Sequence, residues 1–140
     1  MTYIVEQTLS PSGNDIDFLT RKINEEANKH GISEEAYQFA FFIRENGEKI
    51  IAGCNGSVIY GAIYTDQLWV DPECRNKGLG RMLMERVHSY GGEVGCNLAT
   101  VTTLSFQEAS SFCEKLGYKC DFERAGYSYN SKCIFLKKKL

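Results

Sequence analysis

The stretch from Leu68 to Tyr90, "LWVDPECRNKGLGRMLMERVHSY", constrains the fold more than any other part of the chain. A β-prone apolar run ends at an Asp-Pro turn signal, a short basic loop follows with glycine at 78 and 80, and a helical pattern begins at once. A strand that runs straight into a helix calls for a fold in which helices pack on a sheet. A helix start presents unpaired backbone N–H groups and the positive end of the helix dipole, so it is an anion site whose usual occupant is phosphate. Glycine at 78 and 80 removes Cβ atoms that would hold a pyrophosphate away from the backbone, and Arg75, Lys77 and Arg81 add charge from the sides. The same residues also read as a plain strand-to-helix turn, with glycines for positive φ and solvated basic side chains. Gly-x-Gly alone does not choose between the two.

The rest of the chain sets the frame for that loop. Its 140 residues make one domain, 1–140, with 43% hydrophobic and 24% charged residues, an ordinary globular composition. A net charge of −2 argues against a nucleic-acid binder, which normally carries a strong basic excess. No segment approaches the roughly 20 apolar residues of a membrane span. Met1 to Ser10 lacks the basic region and apolar core of a signal peptide, so a cytoplasmic protein is expected, with its six cysteines as free thiols. None forms a C-x-x-C pair, and with only His30 and His88 beside them no metal site is expected.

Along the chain, Thr2 to Gln7 reads as a first strand and Asp15 to His30 as a helix, with Ile16, Leu19, Ile23 and Ala27 on one stripe and Gly31 as its stop. Tyr37 to Val70 reads as an antiparallel meander broken at Asn46-Gly47, at Asn55-Gly56 and near Gly61. After the loop, Leu79, Leu83, Val87 and Tyr90 mark a helix, Asn97 to Thr103 a strand, and Phe106, Ala109, Phe112, Cys113 and Leu116 a second helical stripe closed by Gly117. Two more strands fill Tyr118 to Leu136. The fold class is therefore α/β or α+β, with helices flanking a mixed sheet.

Spacing excludes two familiar phosphate loops. A Walker loop, G-x-x-x-x-G-K-(S/T), is absent, and the dinucleotide fingerprint needs a third small residue after Gly80 where the chain has Arg81, Met82 and Leu83. Arg75-Asn76-Lys77-Gly78-Leu79-Gly80 instead resembles the signature of the GCN5-related N-acetyltransferases, in which Gln or Arg stands three residues before a glycine and a second small residue follows at one remove. Phe106 to Tyr118, "FQEASSFCEKLGY", is similar in part to a second motif common in that family, N-x-x-A-x-x-(F/L)-Y-x-x-x-G-(F/Y). The resemblance implies a centrally splayed mixed sheet holding acetyl-CoA between two parallel strands, near Asp66 to Val70 and Asn97 to Thr103. The backbone of Leu68, Trp69 and Val70 would pair with the pantetheine arm, and the segment Asn76, Lys77, Gly78, Leu79, Gly80 and Arg81, with Arg75 beside it, would bind the pyrophosphate.

It also implies acetyl transfer to a primary amine of a small molecule or peptide, directly within a ternary complex. Such transfer needs a neutral amine, a donor for the developing oxyanion and a proton for the leaving thiolate. The backbone N–H of Val70 matches the family's oxyanion donor, but the family's tyrosine is Cys113 here, which reads equally as a small buried hydrophobe. Tyr118 is a stand-in donor or a packing residue. Phe106 replaces an asparagine that contacts the cofactor in many members, so Ser105 or Gln107 is a candidate to replace that contact. Asp66, two residues before Leu68 and four before Val70, falls on their strand face and is a candidate base. These departures leave open a CoA-binding sensor on the same fold, or transfer of another acyl group. Dimers are common among such relatives, so a homodimer is compatible.

Overall fold

The computed structural model describes residues 1–140 throughout, and the chain divides into two compact units, Met1–Ala36 and Tyr37–Leu140. The first unit holds one helix, α1 (Gly13–Lys29). Ser12 caps it by accepting the Asp15 N–H at 3.2 Å, and the Ile32 N–H returns to the Ala27 carbonyl at 3.1 Å where Gly31 turns the chain out. The Asn24 side chain brackets Ala36, donating to its carbonyl at 3.1 Å and accepting its N–H at 2.9 Å. Residues 2–7, expected as a strand, form none. Their β-prone composition is real, but a strand needs a ladder partner, and this unit contains no strand.

The second unit is a six-stranded mixed sheet in the order β1-β2-β3-β4-β6-β5. Its strands are β1 (Tyr37–Glu45), β2 (Lys49–Ile59), β3 (Ala62–Val70), β4 (Leu98–Leu104), β5 (Lys119–Tyr127) and β6 (Ser131–Lys139). The first three form the expected meander, and β4, β6 and β5 form an antiparallel group. Only β3 and β4 run parallel, joined by helix α2 (Leu79–Glu93) as a parallel crossover requires. Ile63, Met84, Val87, Ala99 and Leu136 are at most 2% exposed and fix α2 to the sheet. Helix α3 (Ala109–Lys115) follows β4 and buries Cys113.

Two sheet irregularities position the site. The Asn55-Gly56 step is not a turn, as its Asn-Gly sequence suggests, but lies inside β2 opposite a β-bulge. There Asn55 pairs with Gln67 and Gly56 with Thr65, so Asp66 is the extra residue. The second irregularity is that β3 and β4 pair only from Ala62–Leu98 to Thr65–Val101. Beyond Thr65 the two strands part, which is the expected central splay.

Candidate functional site

The bulge at Asp66 resets the alternation of β3. Ile63 and Thr65 face the core, and past the extra residue so do Leu68 and Val70, which pack against it. A strict two-residue period puts Asp66 on the face of Leu68 and Val70, and the slip removes it from that face. Asp66 is exposed, and its carboxylate accepts from the Tyr64 hydroxyl at 3.4 Å, which also lies 3.0 Å from Thr102 Oγ1.

After Val70 the chain makes a short 3-10 turn, Pro72–Cys74, capped by the Asp71 carboxylate on the Glu73 N–H at 2.9 Å. The Arg75 guanidinium Nε donates back to the Val70 carbonyl at 2.9 Å, tying the loop to the strand end. Asn76 at φ +62 and Gly78 at φ +83 then pass through the left-handed region, the kind of turn that curves backbone N–H groups into an anion-binding concavity. Gly78 is the N-cap of α2, and no side chain caps that helix. Its first N–H groups therefore have no intrahelical acceptor. Met82 N–H to Gly78 carbonyl, 3.0 Å, is the first helical bond.

The two glycines answer to different demands. A Cβ on Gly78 would touch nothing within 4 Å, so that position is glycine for its positive φ. A Cβ on Gly80 would stand 3.2 Å from Phe112 Cζ, so that position is glycine for the close approach of α2 to α3.

The loop opens onto a cavity of about 460 Å³ bounded by Leu68, Trp69, Val70, Arg75, Asn76, Gly78, Leu79, Gly80 and Arg81 on one side and by Ala109, Phe112 and Lys115 on the other. A second cavity of about 360 Å³ continues from Leu68, Trp69 and Ala109 into the splay, where Thr65, Asp66, Thr103, Gln107 and Cys113 line it. Nine of the eleven expected cofactor residues, all but Lys77 and Ser105, thus meet at one wall, as one continuous groove along the open edge of β3. Lys77 lies outside both linings. So does Ser105, whose hydroxyl is engaged by the Lys132 N–H at 2.9 Å. Phe106 is 63% exposed and lines neither cavity.

Of the other catalytic candidates, Cys113 lines the inner cavity but is 2% exposed, and burial pushes its thiol up to about 11. Tyr118 lines neither cavity. Its buried hydroxyl lies 2.7 Å from His88 Nε2 on α2, and burial holds it protonated well above the ordinary phenol range. Two polar groups of the inner cavity stand out only in three dimensions. Gln107 Oε1 accepts from both Thr103 Oγ1 at 2.9 Å and the Leu104 N–H at 3.0 Å, which fixes its amide. Thr65 is buried without a hydrogen-bond partner for its hydroxyl. The signal for Thr65 was present as a polar residue in phase with buried Ile63. No group of histidine, cysteine and acidic side chains could hold a metal ion, and no helix is long and apolar enough to cross a membrane.

Comparison with known proteins agrees with this geometry. A family model described as "Acetyltransferase (GNAT) domain" matches residues 37–120. Blasticidin-S acetyltransferase of Streptomyces morookaense is 37% identical over 76 residues, 54% of this chain and 54% of that protein, so the chain spans about half the length of the curated relative it matches. An acetyltransferase of Bacillus cereus ATCC 14579 superposes with a TM-score of 0.74 at 22% identity, covering 96% of this chain and 98% of its own. A chain assigned as a streptothricin acetyltransferase from Bacillus anthracis str. Ames, in complex with acetyl coenzyme A, superposes with a TM-score of 0.66 at 17% identity, covering 74% and 62%.

Proposed function

The chain belongs to the GNAT acetyltransferase family, and from that premise we propose that it is a cytoplasmic N-acetyltransferase, acting as one domain, that moves the acetyl group of acetyl-CoA to a primary amine. The observation that carries this reading is the continuous groove from the uncapped start of α2 to the β3–β4 splay. Its parts fit the co-substrate in order. N–H groups from Asn76 to Arg81 take the pyrophosphate, with Arg75 and Arg81 adding charge. The unpaired edge of Leu68, Trp69 and Val70 bonds the amides of the pantetheine arm as an added strand would. Gln107, its oxygen fixed by Thr103 and Leu104, presents its amide N–H₂ at the inner end, a role for which Ser105 is no longer placed.

Acetyl-CoA supplies an activated acyl group, and the chain's residues bind and orient it so that transfer to an amine in the ternary complex is direct. The Asp66 carboxylate, linked to Tyr64 and exposed at the splay, takes up the proton that the acceptor ammonium must lose. No metal takes part. The acceptor is a small molecule or peptide bearing an amine, and the blasticidin-S relative favours the small-molecule class. Turnover of acetyl-CoA across a panel of small-molecule and peptide amines, read as thiol release, tests the reading. Amine-dependent release supports it.

The burial of Cys113 and the turning of Tyr118 toward His88 favour one rival, a CoA-binding module without transfer. That rival predicts binding with no thiol release for any amine or acyl donor.

A further inference from the structure

Thr65 is one of the residues that line the inner cavity. This residue is the last of β3 to pair with β4, opposite Val101, and its side chain is 3% exposed. It lines the 360 Å³ cavity, and its Oγ1 has no hydrogen-bond partner. Across β2 its pair is Gly56, which brings no side chain to it. A buried hydroxyl left unsatisfied is unfavourable, and valine would fill the same corner without that penalty. The hydroxyl therefore points to a polar atom of a ligand.

The place of Thr65 along β3, at the last pair before the splay, says which atom. From Val70 back to Thr65 the strand covers about 16 Å at the usual rise, comparable with an extended pantetheine arm whose far end is sulfur. Cys113 shares the cavity, but a thiol is a weak donor. We propose that Thr65 donates its hydroxyl hydrogen bond to the sulfur of coenzyme A and so stabilises the leaving thiolate, a role that rests on reading this cleft as the acyl-CoA site. In the transfer the acceptor nitrogen's lone pair forms the N–C bond. The C–S bond breaks with its electron pair passing to sulfur, and the proton shed by nitrogen ends on that sulfur, so that amine and thioester become amide and thiol. Thr65 keeps its own proton throughout, and its hydrogen bond strengthens as charge gathers on sulfur.

The test titrates the full chain and its Thr65→Val and Thr65→Ser variants with coenzyme A and with desulfo-coenzyme A, which lacks the sulfur. The wild-type protein should prefer coenzyme A by about threefold, as a hydrogen bond to the neutral thiol gives before charge gathers on the sulfur. Thr65→Val should bind both at the wild-type affinity for the desulfo form, and Thr65→Ser should restore part of the preference. The melting temperature of ligand-free Thr65→Val should be unchanged or higher, because an orphan hydroxyl has gone. A valine variant that keeps the preference, a wild type that shows none, or a marked fall in its melting temperature overturns the role of Thr65. Failure of the wild type to bind either compound overturns the acyl-CoA reading itself, and Thr65 with it.

Discussion

Tyr118 and His88 hold each other across the space between α3 and α2, with the phenol oxygen 2.7 Å from Nε2 and ring centroids 5.5 Å apart. The pair fastens the chain leaving α3 to the middle of the helix whose first turn forms the loop. Its function is positional, because neither cavity reaches the Tyr118 side chain.

Tyr118→Phe should therefore destabilise the protein by about 1 kcal/mol, the worth of one part-buried hydrogen bond. Acetyl transfer at saturating substrate should stay near the wild-type rate. Urea unfolding and steady-state rates check both halves, and a collapse in rate with stability intact would make Tyr118 the proton donor after all.

The burial of His88 makes stability depend on pH. Burial lowers the His88 pKa below its ordinary 6.5, with Lys138 acting in the same direction and Glu85 against it. The unfolded chain takes up this proton near pH 6.5 and the folded protein only at lower pH. The stability held by neutral His88 is thus present above about pH 6.5 and is lost as pH falls through the folded value. Urea midpoints measured from about pH 7.5 down to pH 5 should fall in the wild type and flatten in His88→Gln. Equal slopes in the two proteins would contradict the assignment.

Cys113 should be inert. With its thiol pushed up to about 11 by burial, almost none is thiolate near pH 7.5. Intact-mass measurement after incubation with acetyl-CoA should show no acetyl-enzyme, and alkylating reagents should spare Cys113 in the folded protein. Trapping of an acetyl-Cys113 adduct would replace direct transfer by a two-step route. Cys113→Ser should cost about 1–3 kcal/mol by burying a hydroxyl in place of a thiol.

Local chemistry made most of the fold legible. The Asn46-Gly47 turn, the β3–loop–α2 run and the stripes of α2 and α3 are written in short-range patterns that the packing preserves. What short range could not show depended on partners. Residues 2–7 have strand-like composition without a strand to pair with, and Asn55-Gly56 looks like a turn although its neighbour bulges instead. That bulge is why Asp66 does not share the face of Leu68 and Val70, whereas Thr65 does. Ser105 and Tyr118 were in the right segments, but their hydroxyls bond to Lys132 and His88, which are 27 and 30 residues away.

The loop itself offers the most direct test. A Cβ at Gly78 meets no atom of the protein within 4 Å, and aspartate tolerates the left-handed conformation that φ +83 demands. Gly78→Asp should therefore fold while placing a carboxylate at the proposed pyrophosphate site. Calorimetric titration with acetyl-CoA should give saturable, roughly micromolar binding to the wild type. In Gly78→Asp, shown by its melting curve to be folded, that affinity should fall at least about tenfold by like-charge repulsion. No binding to the wild type, or equal binding to both, would mean that the basic glycine loop is only a turn.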